Sequence, residues 1–151
     1  MKRIFGIIVA AFIMLGGGLV LAPSAFAGGY GCSGNQIDTY PVTYSGETFG
    51  NVYLYYDSST GKNCAVTVSN SSHGYGSSKY MYVRVEKCQQ TAPSGGYCTI
   101  YSPEVWDDNG GDFLYYAGPV TVSAAGHCIS VVGEISWQGH LGDVQAVGHC
   151  G

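Results

Sequence analysis

Residues Gly50 to Val68 read GNVYLYYDSSTGKNCAVTV, two strand-like runs joined by a turn. Val52 to Tyr56 are apolar or aromatic and β-favouring, and Ala65 to Val68 are small or β-branched after a cysteine. Between them Asp57, Ser58, Ser59, Thr60, Gly61, Lys62 and Asn63 supply side chains that bond nearby backbone and a glycine able to take positive φ. The stretch therefore predicts a β-hairpin with a loop longer than the tightest kind. Alternation places Val52, Leu54 and Tyr56 on one face and Tyr53 and Tyr55 on the other, with Cys64, Val66 and Val68 opposing Ala65 and Thr67. One face reads as core and the other as a surface that presents tyrosines.

Outward from the hairpin the pattern repeats in weaker form. Ile37 to Tyr44 reads as a strand that Pro41 confines to an edge or a first position. Tyr80 to Cys88 alternates Met81, Val83 and Val85 against Tyr80, Tyr82, Arg84 and Glu86, and Tyr97 to Val105 reads as its hairpin partner. Trp106 to Asp112, WDDNGGD, reads as an acidic turn, and SNSSHGYGSS, residues 69 to 78, as a mobile polar loop with nothing to bury. Phe113 to Ala117, Val120 to Ser123, Cys128 to Ile135 and Val144 to Val147 supply further strands. No stretch carries apolar residues at three-and-four spacing long enough for a stable helix. The fold class expected is all-β, an antiparallel sandwich or closed barrel of about seven to nine short strands stabilised by disulfides.

At the N-terminus Lys2 and Arg3 precede an uncharged run from Ile4 to Leu21, followed by the small-x-small triplet Ala25, Phe26, Ala27. This reads as a signal peptide over residues 1–27, cut after Ala27, ahead of one exported β-domain over residues 28–151. Four basic side chains (Lys62, Lys79, Arg84, Lys87) then face ten acidic ones, a formal charge of −6 for that domain. Such a balance argues against nucleic acid and, once the leader is removed, against a membrane, since both ask for basic patches.

All six cysteines lie after the leader, and an even number in an exported chain implies three disulfides. Cys88 with Cys98 spans the turn-rich TAPSGGY segment. Cys32 with Cys150 joins the two ends, which leaves Cys64 with Cys128.

Chemistry is harder to find than architecture. VSAAGHC, Val122 to Cys128, looks like the histidine segment of chymotrypsin-like proteases. A glycine intrudes before His127, however, and no G-D-S-G-G segment supplies a nucleophile. Glu47, Glu86, Glu104 and Glu134 offer carboxylates for glycoside hydrolysis, but nothing selects two of them. Catalytic residues expected are none, and no cofactor is implied. Asp107, Asp108, Asn109 and Asp112 gather hard oxygen ligands and form a weak calcium candidate without the EF-hand spacing, and the histidines lack metal-ligand spacing.

The better functional feature is the set Tyr53, Tyr55, Tyr80 and Tyr82, whose rings on outer faces suit stacking on sugars or docking against protein. The competing reading is cross-strand packing without a ligand.

VYLYYDSSTGKNCAVTV (Val52 to Val68), YYAGPVTVSAAGHC (Tyr115 to Cys128) and the terminal GCSG and GHCG carry a resemblance. By them the chain resembles the spore-associated protein A family, small exported proteins of filamentous, spore-forming bacteria. The resemblance implies location with spores or the aerial cell surface, and it transfers no activity, cofactor or catalytic residue. The expected role is a secreted surface or spore-associated protein acting by structure or adhesion. Its partner would be a cell-wall or spore-surface component such as a polysaccharide. Two alternatives stand beside it: a wall- or polysaccharide-directed module using the tyrosine face, and an inhibitor of exported proteases presenting the loop Gln89 to Tyr97.

Overall fold

The computed structural model describes residues 28–151, so the leader expected over residues 1–27 lies outside the described residues. Eight antiparallel strands form one sheet: β1 (Asn35–Tyr44), β2 (Glu47–Asp57), β3 (Lys62–Ser69), β4 (Lys79–Lys87), β5 (Trp106–Phe113), β6 (Tyr116–Ser123), β7 (Ile129–Trp137) and β8 (His140–Gly148). Their order across the sheet is β5-β4-β7-β8-β1-β2-β3-β6.

The sheet folds on itself into a nearly closed barrel with two halves. One half is β5-β4-β7-β8 and the other β1-β2-β3-β6, and they are laddered together only by the pair Thr43 and Asp143 between β1 and β8. Pro41, expected at an edge, sits in the strand whose other neighbour is met at that single pair.

The central hairpin is as its sequence predicts. β2 and β3 pair from Gly50 with Ser69 to Asp57 with Lys62. The core between the halves takes Val52 and Leu54 from one expected face of β2 and Met81, Val83 and Val85 from one expected face of β4, joined by Ala65, Val120, Ile129, Val131 and Ile135, each at most 2% exposed. Each of the Val, Leu, Ile and Met side chains among them contributes roughly 1.5–3 kcal/mol by leaving water.

The barrel closes at β5 and β6 by side chains instead of a ladder. Asn109 Oδ1 accepts from the Gly118 N–H (3.0 Å) and Asp107 Oδ2 from the Thr121 N–H (2.8 Å). WDDNGGD is therefore a strand and not the expected acidic turn. Its residues pair with β4 from Glu86 with Trp106 to Lys79 with Phe113, and tertiary pairing overrides poor β-propensity. Tyr97 to Val105, expected as the partner of β4, instead belongs to the loop between β4 and β5, which rejoins β4 where the Lys87 N–H donates to the Val105 carbonyl (2.9 Å). Removing both capping groups with Asp107→Ala and Asn109→Ala leaves two amides without acceptors and costs about 1–3 kcal/mol in all. Hydrogen exchange at Gly118 and Thr121 is expected to accelerate far more than at the β4–β7 ladder.

The disulfides join Cys32 with Cys64, Cys88 with Cys98 and Cys128 with Cys150. The expected Cys32–Cys150 and Cys64–Cys128 bridges are corrected by these partners. The segment before β1 folds back over the outer face of the β2–β3 hairpin. There Cys32, Tyr55, Cys64, Val66 and Val68 form a second small core, with Tyr53 and Tyr116 packed against it. Tyr30 seals it, stacked on Tyr53 (centroids 5.8 Å) and edge-on to Tyr116 (5.3 Å).

Candidate functional site

The tyrosine set does not form one site. Tyr55 is 4% exposed and Tyr53 half-buried beneath the N-terminal segment, so the surface expected to present tyrosines on the hairpin is covered. Tyr80 and Tyr82 lie on β4, in the other half of the barrel, where Tyr80 is exposed and Tyr82 half-buried. Alternation along β5 likewise divides the calcium candidate. Asp107 and Asn109 turn to β6, while Asp108 and Asp112 share the side of Arg84 and Tyr80, their β4 partners. Among the described residues no group of three or more His, Cys, Asp or Glu could hold a metal ion.

The other sequence candidates are dispersed. His127 Nδ1 lies 3.1 Å from the Cys88 carbonyl and 3.2 Å from the Tyr101 hydroxyl, in the turn before a disulfide. Glu86 and Glu104 both pair with Arg84, at 3.0 and 3.3 Å. In the loop Gln89 to Tyr97, Gln90 donates to the Ser94 hydroxyl and the Tyr97 carbonyl, which leaves the Tyr97 ring 79% exposed.

What the fold does build is a cleft at one end of the barrel. Because β1 and β8 are neighbours, the β1–β2 and β7–β8 turns lie side by side. Both are tight, with Ser45 and Gln138 at φ 47° and 49° and a glycine of positive φ after each, the twist that hairpins of two-residue loops favour. Tyr44 and His140, at the feet of these turns, stack at 4.6 Å. Together with Glu47, Phe49, Ser72, His73, Trp137 and the two turn residues they enclose about 280 Å³.

The third wall is the polar segment 69–78, expected to be mobile and in fact pinned from three directions. Its His73 is 8% exposed and lies flat on Phe49, 4.8 Å between centroids. His73 Nδ1 meets Asn70 Oδ1 at 2.7 Å and Nε2 meets Glu47 Oε1 at 2.9 Å. The Asn70 amide is oriented by its own donation to the Thr48 carbonyl (2.6 Å), so Oδ1 faces the ring as an acceptor. Gly74, at φ 76°, lets the loop pass under Trp137; a Cβ there would come within 2.1 Å of the indole. Behind the loop Lys79, 7% exposed, donates to the carbonyls of Gly74 (2.7 Å), Ser77 (3.0 Å) and Leu114 (3.1 Å), and burial lowers its pKa. Asn70 begins an N-x-S sequon, yet both ends of its amide are engaged in this network.

The cleft thus combines apolar ring faces with a carboxylate, an amide and hydroxyls on a rigid frame. That composition suits a ligand having both flat apolar faces and hydroxyl groups. The polarity of segment 69–78 hid its part from the sequence; the only signals there were a lone histidine and the lysine at its end.

No family model matches the chain, and no solved structure matches it. Among curated proteins it is similar to spore-associated protein A of Streptomyces coelicolor, with 34% identity over 125 residues that cover 83% of this chain. The chain spans 64% of that relative's length. That similarity agrees with the resemblance to the spore-associated protein A family that the two sequence blocks and the terminal cysteine motifs carry.

Proposed function

We propose that the protein is a secreted, non-catalytic surface component that adheres to spore or wall material by holding a glycan in the end cleft. The observation that carries this reading is the convergence of Tyr44, Phe49, Trp137 and His140 with Glu47, Ser72 and Gln138 on one rigid cleft. Aromatic faces stack on sugar rings at low entropic cost, and the polar groups take the hydroxyls. Binding suits the cleft better than catalysis because its one buried histidine has both ring nitrogens engaged, one by an amide and one by the nearest carboxylate. Secretion is supported by the leader pattern and by a chain with no free cysteine among the described residues, since disulfides persist in oxidising compartments. Spore association is supported by the name of the relative.

The test is sedimentation of the oxidised domain with insoluble cell wall, chitin and cellulose. Wild type is expected to sediment with at least one of them. Tyr44→Ala with His140→Ala, both exposed positions, is expected to weaken retention roughly tenfold, as loss of central aromatic contacts does. Tyr80→Ala with Tyr82→Ala is expected to leave it unchanged. Retention lost in the second variant and kept in the first would move the site to the face of β4.

A further inference from the structure

The outer face of the β5-β4-β7-β8 half carries chemistry that the cleft does not use. Register places Tyr80, Tyr82, Arg84 and Glu86 of β4 on this face, with Asp112, Gly110, Asp108 and Trp106 opposite them on β5. On the other flank Glu134 of β7 stands opposite Tyr82, and Asp143 of β8 opposite Glu134. The only basic side chain in the array, Arg84, is already committed: it pairs with Glu86 and Glu104 and lies 4.9 Å over the Trp106 ring. Ion pairs among the described residues go to Asp38, Glu47, Glu86 and Glu104, and none goes to Asp108, Asp112, Glu134 or Asp143.

Two features of the array ask for one. Glu134 and Asp143 are directly opposed across adjacent strands, an arrangement of like charges that weakens a sheet. In the Arg84 row, Glu86 is 6% exposed and its Oε1 has no donor. The tyrosine hydroxyls feel the same field. Burial first, and then the Glu134 carboxylate for Tyr80 and the Asp108 carboxylate for Tyr82, raise their pKa values.

We propose that this face docks an extended lysine- or arginine-rich segment of a partner protein, laid along the Tyr80–Tyr82 row between the carboxylates of β5 and those of β7 and β8. The face offers acceptors and aromatic rings but no uncommitted cationic donor, which matches ammonium and guanidinium groups that only donate. Adjacent strands are about 4.8 Å apart, so the two carboxylate rows flank the tyrosines within reach of long basic side chains on either side of an extended chain. Rings beside carboxylates also attract cations directly.

Octalysine is the probe, titrated into the folded, oxidised domain and followed by calorimetry. Binding is expected, weakening steeply with added salt. Asp108→Asn with Asp112→Asn is expected to weaken it about tenfold, a change of about 1.4 kcal/mol. Asp38→Asn with Asp57→Asn changes net charge equally away from this face and is expected to alter binding less than twofold, with folding of both variants checked by circular dichroism. Equal weakening in the two variants would show attraction to net charge alone and overturn the proposal. Tight binding of a glucosamine oligomer with none of octalysine would overturn it in favour of an amine-bearing glycan. Neither result bears on the sedimentation test of the end cleft, whose residues these variants leave untouched.

Discussion

Lys79→Met is expected to destabilise the domain by about 3 kcal/mol and to release segment 69–78. The substitution keeps most of the stem and removes the ammonium that three backbone carbonyls share. Those carbonyls come from Gly74, Ser77 and Leu114, so one side chain ties the cleft wall to the chain between β5 and β6. A buried acceptor left without a donor costs about 1–3 kcal/mol. Two effects limit the total: water reaches part of the loop once it loosens, and the variant no longer buries a charge that its surroundings disfavour. Denaturant titration reads the stability. Trp137 fluorescence, isolated by Trp106→Phe, reads the loop, because the indole rests on Gly74. An unchanged midpoint with unchanged Trp137 emission would show that the loop is held without Lys79.

Cys32→Ser with Cys64→Ser is expected to cost about 3.7 kcal/mol by the chain-entropy model for a loop closed by residues 32 apart in sequence. The same model gives about 2.8 kcal/mol for Cys88–Cys98, whose residues are 10 apart. The larger effect has a second signature. Without the bridge the segment carrying Tyr30 loses its anchor, and Tyr55, Val66 and Val68 lose their cover. Binding of a hydrophobic dye should rise before global unfolding in this variant and not in Cys88→Ser with Cys98→Ser. Peptide mapping of the non-reduced protein checks the pairing itself.

These two expectations also mark where sequence reading reached and where it stopped. Alternation in Val52 to Tyr56 and in Tyr80 to Cys88 identifies the inward residues of β2 and β4 because burial of one face imposes period two. Nothing comparable marks β5. Its register comes from β4, and Asp107 and Asn109 serve β6 instead of a core. The cleft was illegible for a related reason. Tyr44 with Glu47, His73, and His140 come from three distant parts of the chain, and the adjacency of β1 and β8 brings the first and last of these together. The outer tyrosines of the hairpin were legible as a row, but their burial depends on where Gly28 to Gly34 lies, which no local pattern encodes. The same placement decides the disulfides: Cys32 reaches Cys64 because its segment crosses the outside of the hairpin.

The three bridges pair the cysteines in the order in which they occur, first with second, third with fourth, fifth with sixth. A chain delivered N-terminus first always has the correct partner as the nearest unpaired thiol behind each new even-numbered cysteine. Oxidation can therefore keep pace with emergence and reach the native set without thiol exchange, a step that is otherwise slow. Each closed loop is complete before the next opens, so an interruption at any point leaves native bridges and at most one waiting thiol.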